Sequence, residues 1–151
     1  MRNLRKALSD LVLQRSQHPR FEGIIPRIDR AGSAMNPYCG DAVSVVVGLD
    51  VAGDRLTALR CCVEGCAVCK ASADLMAECL QGRTREETLV IDRAFQQLLQ
   101  TGEGPWSADH PLMPFAALHR VPARVACAAL PWRALRQALS EGVAPPLEPQ
   151  R

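Results

Sequence analysis

Seven cysteines in a chain of 151 residues are the feature that most limits how this protein can fold. Residues 1–6 are basic, but the apolar run that follows them covers only residues 11–13, so the sequence predicts no signal peptide and a cytoplasmic location. In a reducing compartment, an odd number of cysteines argues against a disulfide framework. Each cysteine is then a metal ligand, a reactive thiol or a small buried hydrophobic residue, and its local context decides which.

Length and composition exclude several classes of protein. Hydrophobic residues make up 48% of the chain and charged residues 23%, which is typical of a globular domain and excludes a disordered or fibrous protein. We predict a single domain over residues 1–140 and a frayed, proline-rich tail over residues 141–151. No apolar stretch reaches the roughly 18–20 residues of a membrane span, and the net charge is only +2. We therefore expect neither a membrane nor a nucleic acid as a partner.

The alternation of apolar residues and turn formers predicts an α+β fold, in which helices cover a small three-stranded antiparallel sheet. Two strands joined by a hairpin are expected, together with an extended segment that Pro26 limits to an edge strand. Thr84 and Glu87 have the spacing of a capping box, and Pro131 is compatible with the last helix only in its first turn. The predicted strands are residues 24–28, 42–50 and 55–62, and the predicted helices are residues 3–17, 67–81, 85–100, 115–119 and 128–140.

Three of the cysteines have settings that suit a metal ligand. Cys39 lies in a turn just before a predicted strand, Cys66 opens a predicted helix, and Cys127 precedes the last one. At a helix N-terminus the unpaired amides and the helix dipole lower the pKa of a thiol and favour the thiolate. Asp41 follows Cys39 by two residues, and Gly40 between them allows both side chains to face one ion. Three sulfurs and one oxygen form a tetrahedral set suited to Zn²⁺ or to iron–sulfur chemistry.

Arg124 lies three residues before Cys127, where its charge would lower the cost of burying a negatively charged site. The alternative is a solvated surface arginine. The four ligands are far apart in sequence and lack the paired CxxC spacing of zinc ribbons, so spacing alone leaves the site open.

Four segments, in order along the chain, resemble the motifs of the IscU/NifU-type iron–sulfur cluster assembly proteins. The resemblance runs from the first helix to about residue 140. The segments are His18-Pro-Arg20 with Gly23; Asn36-Pro-Tyr-Cys-Gly-Asp41; Glu64-Gly-Cys66 with Ala71-Ser72 and Met76; and Pro122-Ala-Arg-Val-Ala-Cys127 with Leu130, Trp132, Ala134 and Leu135.

Two features make the resemblance closest to the SufU branch of that family. The gap between Cys66 and Cys127 is long, as in proteins with that branch's insertion, which would fall here around residues 102–118. Arg124 stands at the branch's arginine position, whereas IscU has a histidine immediately before its third cysteine, where this chain has Ala126. The Leu-Pro-Pro-Val-Lys segment by which IscU binds its chaperone is absent, so no Hsp70-type partner is expected.

The resemblance implies a SufE/NifU-like fold and a Zn²⁺ held by Cys39, Asp41, Cys66 and Cys127, with a transient [2Fe–2S] cluster as the alternative. It also implies a PLP-dependent cysteine desulfurase as the donor of persulfide sulfur, and downstream iron–sulfur cluster recipients. The chain would be a scaffold or a zinc-dependent sulfurtransferase rather than a free-standing enzyme. In the SufU branch a desulfurase histidine takes over the zinc and frees the cysteine matching Cys39, so Cys39 and Arg124 are the expected catalytic residues.

Two other functions remain open at this point. The chain could be a zinc-stabilised interaction domain without sulfur transfer, although a purely structural site would not need an aspartate. It could also be a thiol redox protein that uses Cys66 and Cys69, which form a CxxC, but no βαβ unit surrounds that motif. Cys61, Cys62 and Cys69 are outside the family's usual set, and Cys69 is either a packed residue or a spare sulfur relay.

Overall fold

The structure is a computed structural model that describes residues 3–140. Its strands form one antiparallel sheet in the order β1-β2-β3, which confirms the predicted α+β architecture. The predicted tail, residues 141–151, lies outside the described residues. None of the described helices combines the length and the apolar character needed to cross a bilayer. The elements are α1 (Leu4–Gln17), β1 (Arg30–Met35), β2 (Ala42–Leu49), β3 (Leu56–Glu64), α2 (Ala67–Leu80), α3 (Arg85–Thr101), a 3₁₀ helix (Met113–Leu118) and α4 (Pro122–Ser140).

Helices α1 and α3 each begin after a capping residue, close to the positions that the sequence predicts. Asn3 caps α1 by accepting a hydrogen bond from the Lys6 amide (3.2 Å). At the start of α3, the Thr84 hydroxyl accepts from the Glu87 amide (3.1 Å), and the Glu87 carboxylate accepts from the Thr84 amide (2.9 Å). This reciprocal pair is the predicted capping box. Gln81 is the C-cap of α2, and Gly82 follows it with a φ of +92°.

The edge strand differs from the prediction. Residues 24–28 stay outside the sheet, and β1 forms instead from Arg30–Met35, a segment without β-branched residues. This strand pairs with β2, with Gly32 opposite Val45. A Cβ on Gly32 would collide with the Ala134 carbonyl oxygen and lie 2.6 Å from the Ala138 amide nitrogen. Because only glycine permits this approach, β1 owes its place to the close packing of α4 rather than to its own strand propensity.

The last helix is longer than predicted. Helix α4 begins at Pro122, a residue favoured at a first helical position, and it contains Pro131 in its interior rather than in its first turn. An interior proline costs about 3 kcal/mol because it removes a hydrogen bond and crowds the preceding turn. Burial of Trp132 and Leu135 beside it offsets that cost. As a consequence, Cys127 lies inside the helix and not before its N-terminus.

One face of the sheet and the helices that cover it enclose the core. Phe95 of α3 stacks on Trp132 of α4, with 4.5 Å between the ring centroids. Ala42 at the start of β2 pairs with Glu64 at the end of β3. The turn before β2 and the junction after β3 therefore lie at the same edge of the sheet. This pairing brings the segment of Cys39 beside the segment of Cys66.

Two cysteines, the buried Cys61 and the half-buried Cys79, have raised thiol pKa values, and we therefore predict that the metal-free protein loses stability at alkaline pH. Burial raises the pKa of the Cys61 thiol, and it raises the pKa of the Cys79 thiol from the ordinary value of 9.0 to about 11. As the pH rises above 9.0, the unfolded chain therefore loses these protons before the folded chain does. Stability that is complete below that pH then declines as the pH approaches the folded-state values.

We expect the Tm of the metal-free protein to fall between about pH 8 and about pH 10.5, measured by thermal denaturation at constant ionic strength. Cys79→Ala is expected to lessen this fall, whereas Cys62→Ala, which removes an exposed thiol, leaves it unchanged. A Tm that stays level over this range would contradict the prediction.

Candidate metal centre

The turn over residues 36–41 brings Cys39 and Asp41 together through its own hydrogen bonds. The Asn36 side-chain oxygen accepts from the Tyr38 amide (3.0 Å), and the Asn36 carbonyl accepts from the Gly40 amide (2.8 Å). The Asn36 amide donates to the Asp41 carbonyl (2.9 Å), which closes the turn. Gly40 has a φ of +77°, so the predicted bend between the two ligands needs glycine. The Cys39 side chain is exposed and the Asp41 side chain is buried.

Cys66 lies at the junction between β3 and α2, as the N-cap residue of that helix. Its side chain makes no capping hydrogen bond, so the half-buried thiol is available to another partner. Gly65 precedes it, and a Cβ on Gly65 would lie 2.5 Å from the carboxyl carbon of Asp41. The Asp41 carboxylate therefore rests directly on the backbone next to Cys66.

Helix α4 supplies the third sulfur. Cys127, in its second turn, is buried. One ligand atom from each of Cys39, Asp41 and Cys127 lies within 4.8 Å of the others. Cys66 is outside this set of three, but its side chain is close enough to Cys127 to contribute to raising the pKa of the Cys127 thiol. The fold thus brings the ligand atoms of two distant segments together, the turn before β2 and helix α4, and Cys66 lies outside that set.

The surroundings of the Asp41 carboxylate test whether a cation fits between the side chains of Cys39, Asp41 and Cys127. Its Oδ2 atom is buried and has no hydrogen-bond partner among the residues that the structure describes. A buried carboxylate oxygen without a partner is costly, and it is rare in native proteins. A cation bound between this oxygen and the neighbouring sulfurs would remove that cost. Thiolates and a carboxylate are ligands that Zn²⁺ takes in proteins, so these residues fit such an ion.

The predicted effect of the helix dipole on Cys127 is wrong. The thiol lies within α4 rather than before its N-terminus, and burial, together with the neighbouring Cys66 side chain, raises its pKa to about 12. A metal ion must therefore displace the Cys127 proton as it binds. Metal affinity is expected to increase with pH for this reason.

Arg124 is exposed in the first turn of α4, three residues before Cys127. Residues at this spacing lie on the same side of a helix. This spacing places Arg124 on the same side of α4 as Cys127, and its role at the site stays a prediction.

The other cysteines differ in their surroundings. Cys69 is fully buried one turn after Cys66, and burial raises its pKa. Dithiol exchange needs thiolates, so the raised pKa of Cys69 argues against redox use of the Cys66–Cys69 motif. Cys61 is buried in the sheet, and Cys62 is exposed on β3, where its thiol donates to the Gly23 carbonyl (3.6 Å).

The contact of Gly65 with Asp41 is the feature of the site that the sequence analysis missed. In the sequence, Gly65 stands out only as the residue before Cys66. Its conformation does not require glycine, since its φ lies outside the left-handed region, but the Asp41 carboxylate does. A glycine between a strand and a predicted ligand was the available signal.

Sequence comparisons relate the chain to known proteins. The profile of the family described as NifU-like N terminal domain matches residues 7–141. The chain is 28% identical over 130 residues to the iron–sulfur cluster assembly scaffold protein IscU of Streptococcus pyogenes serotype M1, a match that covers 85% of this chain and 80% of that protein. It is 27% identical over 140 residues to the zinc-dependent sulfurtransferase SufU of Bacillus subtilis strain 168, with 92% of this chain and 93% of that protein covered.

Solved structures share the same fold. The crystal structure of a candidate iron–sulfur cluster assembly scaffold protein for the SUF system of Fervidobacterium islandicum matches with a TM-score of 0.79 and 28% identity, over 86% of this chain and 94% of the other. The N-terminal part of a nitrogen-fixing NifU-like protein from Brucella abortus matches with a TM-score of 0.79 over 91% and 96% of the two chains. Its identity is only 19%, so that match shows the fold alone.

Proposed function

The chain belongs to the NifU-like N terminal domain family, and we propose that it is an iron–sulfur cluster assembly scaffold that receives persulfide sulfur at Cys39. The donor is a PLP-dependent cysteine desulfurase, and the sulfur passes on to downstream cluster recipients. Two relatives support this role by their names, an assembly scaffold in Streptococcus pyogenes and a zinc-dependent sulfurtransferase in Bacillus subtilis.

The observation that carries the proposal is the unequal burial of the ligand set. Among the three donors that lie within 4.8 Å of one another, Cys39 alone is exposed, whereas Asp41 and Cys127 are buried. An exposed thiol can leave the metal and meet a partner protein while the buried donors stay in place. A site built only for stability has no need of this difference.

We propose Zn²⁺ as the resident metal, held by Cys39, Asp41, Cys66 and Cys127. The zinc would keep these thiols deprotonated and shield them from side reactions. A [2Fe–2S] cluster, in contrast, is the cargo of a scaffold. The name of the Bacillus subtilis relative, a zinc-dependent protein, supports zinc as the resident species.

The chemical step that we propose for Cys39 needs no oxidant or reductant. The Cys39 thiolate attacks the outer sulfur of the desulfurase persulfide and forms a new S–S bond. The S–S bond of the donor breaks, and its electron pair leaves with the desulfurase cysteine as a thiolate. Cys39 then carries the persulfide. Its exposed position in the turn permits this approach, which burial denies to Cys127.

Arg124 has a supporting role in this proposal. Three thiolates and one carboxylate give the site more negative charge than one Zn²⁺ can balance. The exposed guanidinium in the first turn of α4 supplies the opposite charge beside Cys127. This charge would lower the cost of burying a negatively charged site.

The test compares the native chain with Cys39→Ala for bound metal and for sulfur acceptance. We expect about one zinc per chain in the aerobically purified native protein, measured by elemental analysis. With a cysteine desulfurase, we expect the native protein to stimulate turnover and to gain one sulfur atom of mass. Cys39→Ala should lose both effects, because no other site thiol is exposed. Cys62→Ala, which removes an exposed cysteine away from the turn, is the matched control and should retain both.

The possible outcomes of this test distinguish the proposed function from its alternatives. Sulfur acceptance that survives in Cys39→Ala would contradict the role of Cys39. Zinc without any sulfur transfer in the native protein would instead indicate the zinc-stabilised interaction domain. Loss of sulfur acceptance in Cys62→Ala, with Cys39→Ala still accepting sulfur, would show that the acceptor is Cys62 and not Cys39.

A further inference from the structure

A buried serine joins the two helices that carry Cys66 and Cys127. Ser72 of α2 donates a hydrogen bond from its hydroxyl to the carbonyl oxygen of Ala128 in α4 (2.5 Å). The same hydroxyl accepts a hydrogen bond from Nε1 of Trp132 (3.1 Å). Ser72 and Ala128 are 0% exposed and Trp132 is 1% exposed. Hydrogen bonds of this kind do not exchange with water, so they hold α2 and α4 in one relative position.

Helix α4 lacks part of its own hydrogen-bond ladder at this point. Pro131 has no amide hydrogen, so the carbonyl of Cys127 does not receive the bond that residue 131 would normally donate. The carbonyl of the next residue, Ala128, receives the Ser72 hydroxyl. The bond from α2 therefore reaches α4 one residue away from Cys127, where the helix itself fixes the backbone least.

We propose that Ser72 is a positioning residue for the metal centre, because it holds the backbone of α4 so that the Cys127 thiol meets Cys66 and faces Asp41. This inference rests on the proposed function, since it concerns the same site. Cys66 is the cap of α2, whereas Cys127 belongs to α4. A rotation or a sliding of α4 against α2 would separate their sulfurs, and Ser72 opposes that movement.

Ser72→Ala removes the hydroxyl with a minimal change in volume. We expect its zinc affinity, measured by competition with a chromophoric chelator, to fall about 10–100-fold, as is usual when a group that orients a metal ligand is removed. With Co²⁺ as a spectroscopic probe, the intensity of the sulfur-to-cobalt charge-transfer band should move toward that of Cys127→Ser. The change in the band would report the loss of one sulfur ligand rather than a loss of fold.

Trp132→Phe is the control for general destabilisation. It removes the indole N–H and leaves a cavity, but it retains the bond from Ser72 to Ala128. We expect a lower Tm for this variant than for the native chain and a zinc affinity within about twofold of it, since the bond that orients Cys127 persists. The double variant Ser72→Ala/Trp132→Phe leaves no indole donor unpaired, and it should show the same metal defect as Ser72→Ala.

A second readout needs no metal. Cys127 and Cys61 are each 4% exposed, and they lie in different elements of the fold. Alkylation of the metal-free protein with iodoacetamide, followed by peptide mass mapping, gives the ratio of their rates. We expect Ser72→Ala to raise the rate at Cys127 relative to Cys61 several-fold, whereas Trp132→Phe leaves the ratio unchanged. General loosening of the fold would raise both rates together.

The outcomes separate this inference from the proposed function. Native zinc affinity and a native alkylation ratio in Ser72→Ala would overturn the role of Ser72 and leave the proposed function intact. An equal loss of affinity in Trp132→Phe would also overturn it, because destabilisation alone would then explain the effect. If the native chain binds no zinc, the proposed function fails, and the alkylation ratio still decides whether Ser72 places Cys127.

Discussion

Replacing Asp74 with alanine is expected to lower the free energy of unfolding by about 3–5 kcal/mol, the cost of removing one partner of a buried ion pair. Asp74 of α2 is 3% exposed, and its Oδ2 accepts from the guanidinium of Arg15 in α1 (2.7 Å). Its Oδ1 accepts from the backbone amides of Arg20 (2.8 Å) and Phe21 (2.7 Å). The substitution leaves a buried cation and two backbone donors without this partner, and it releases the segment that follows α1.

The free energy of unfolding is measured by urea denaturation of the metal-free protein, with circular dichroism as the signal. Asp10→Ala is the matched control, because Asp10 pairs with Lys6 on the exposed side of α1 (3.1 Å). An exposed pair of this kind contributes at most about 0.5 kcal/mol. Glu78, the other carboxylate bound to Arg15 (2.5 Å), can keep part of the charge balance. A loss below about 1 kcal/mol in Asp74→Ala would show that this network does not hold α1 in place.

Elements with local signals could be predicted from the sequence, whereas elements that depend on a neighbour could not. Helix α3 has its capping box within four residues, and β2 is a run of β-branched residues. Strand β1 has no such signal, because it forms where α4 packs against Gly32. The early start of α4 depends on Pro122, which lies in the connection between two predicted helices. Packing against distant residues therefore decided β1, whereas the start of α4 had a local signal, a proline at the first helical position, that was not used.

The candidate site also has a part that could be predicted from local sequence and a part that could not. Cys39 and Asp41 share one turn, so their proximity follows from six residues of sequence. Cys127 joins them only because α4 crosses the sheet, which no local pattern indicates. The resemblance to a known family supplied that connection. The burial that distinguishes Cys39 from Cys127, and the unpartnered oxygen of Asp41, are properties of the packed chain alone.

Gly65→Ala is expected to remove much of the metal affinity without unfolding the protein. The added methyl group would lie 2.5 Å from the Asp41 carboxyl carbon and 2.7 Å from its Oδ1 atom, so the carboxylate must turn away. The φ angle of Gly65 lies outside the left-handed region, so the alanine backbone itself is not strained. We expect zinc affinity, measured by chelator competition, to fall about 10–100-fold, as for other changes that disorient a ligand.

The stability of the metal-free form makes this prediction specific. In the native chain Asp41 buries an oxygen without a hydrogen-bond partner, which costs free energy until a cation binds. A methyl group that turns this carboxylate toward solvent removes that cost, so the Tm of metal-free Gly65→Ala should equal or exceed the native value. The increase in Tm on adding zinc should become smaller in the variant. Gly48→Ala, in which the new methyl group meets the Thr57 hydroxyl at 3.3 Å and lies away from the site, should keep the native increase. An unchanged zinc-dependent increase in Gly65→Ala would mean that Asp41 does not bind the metal.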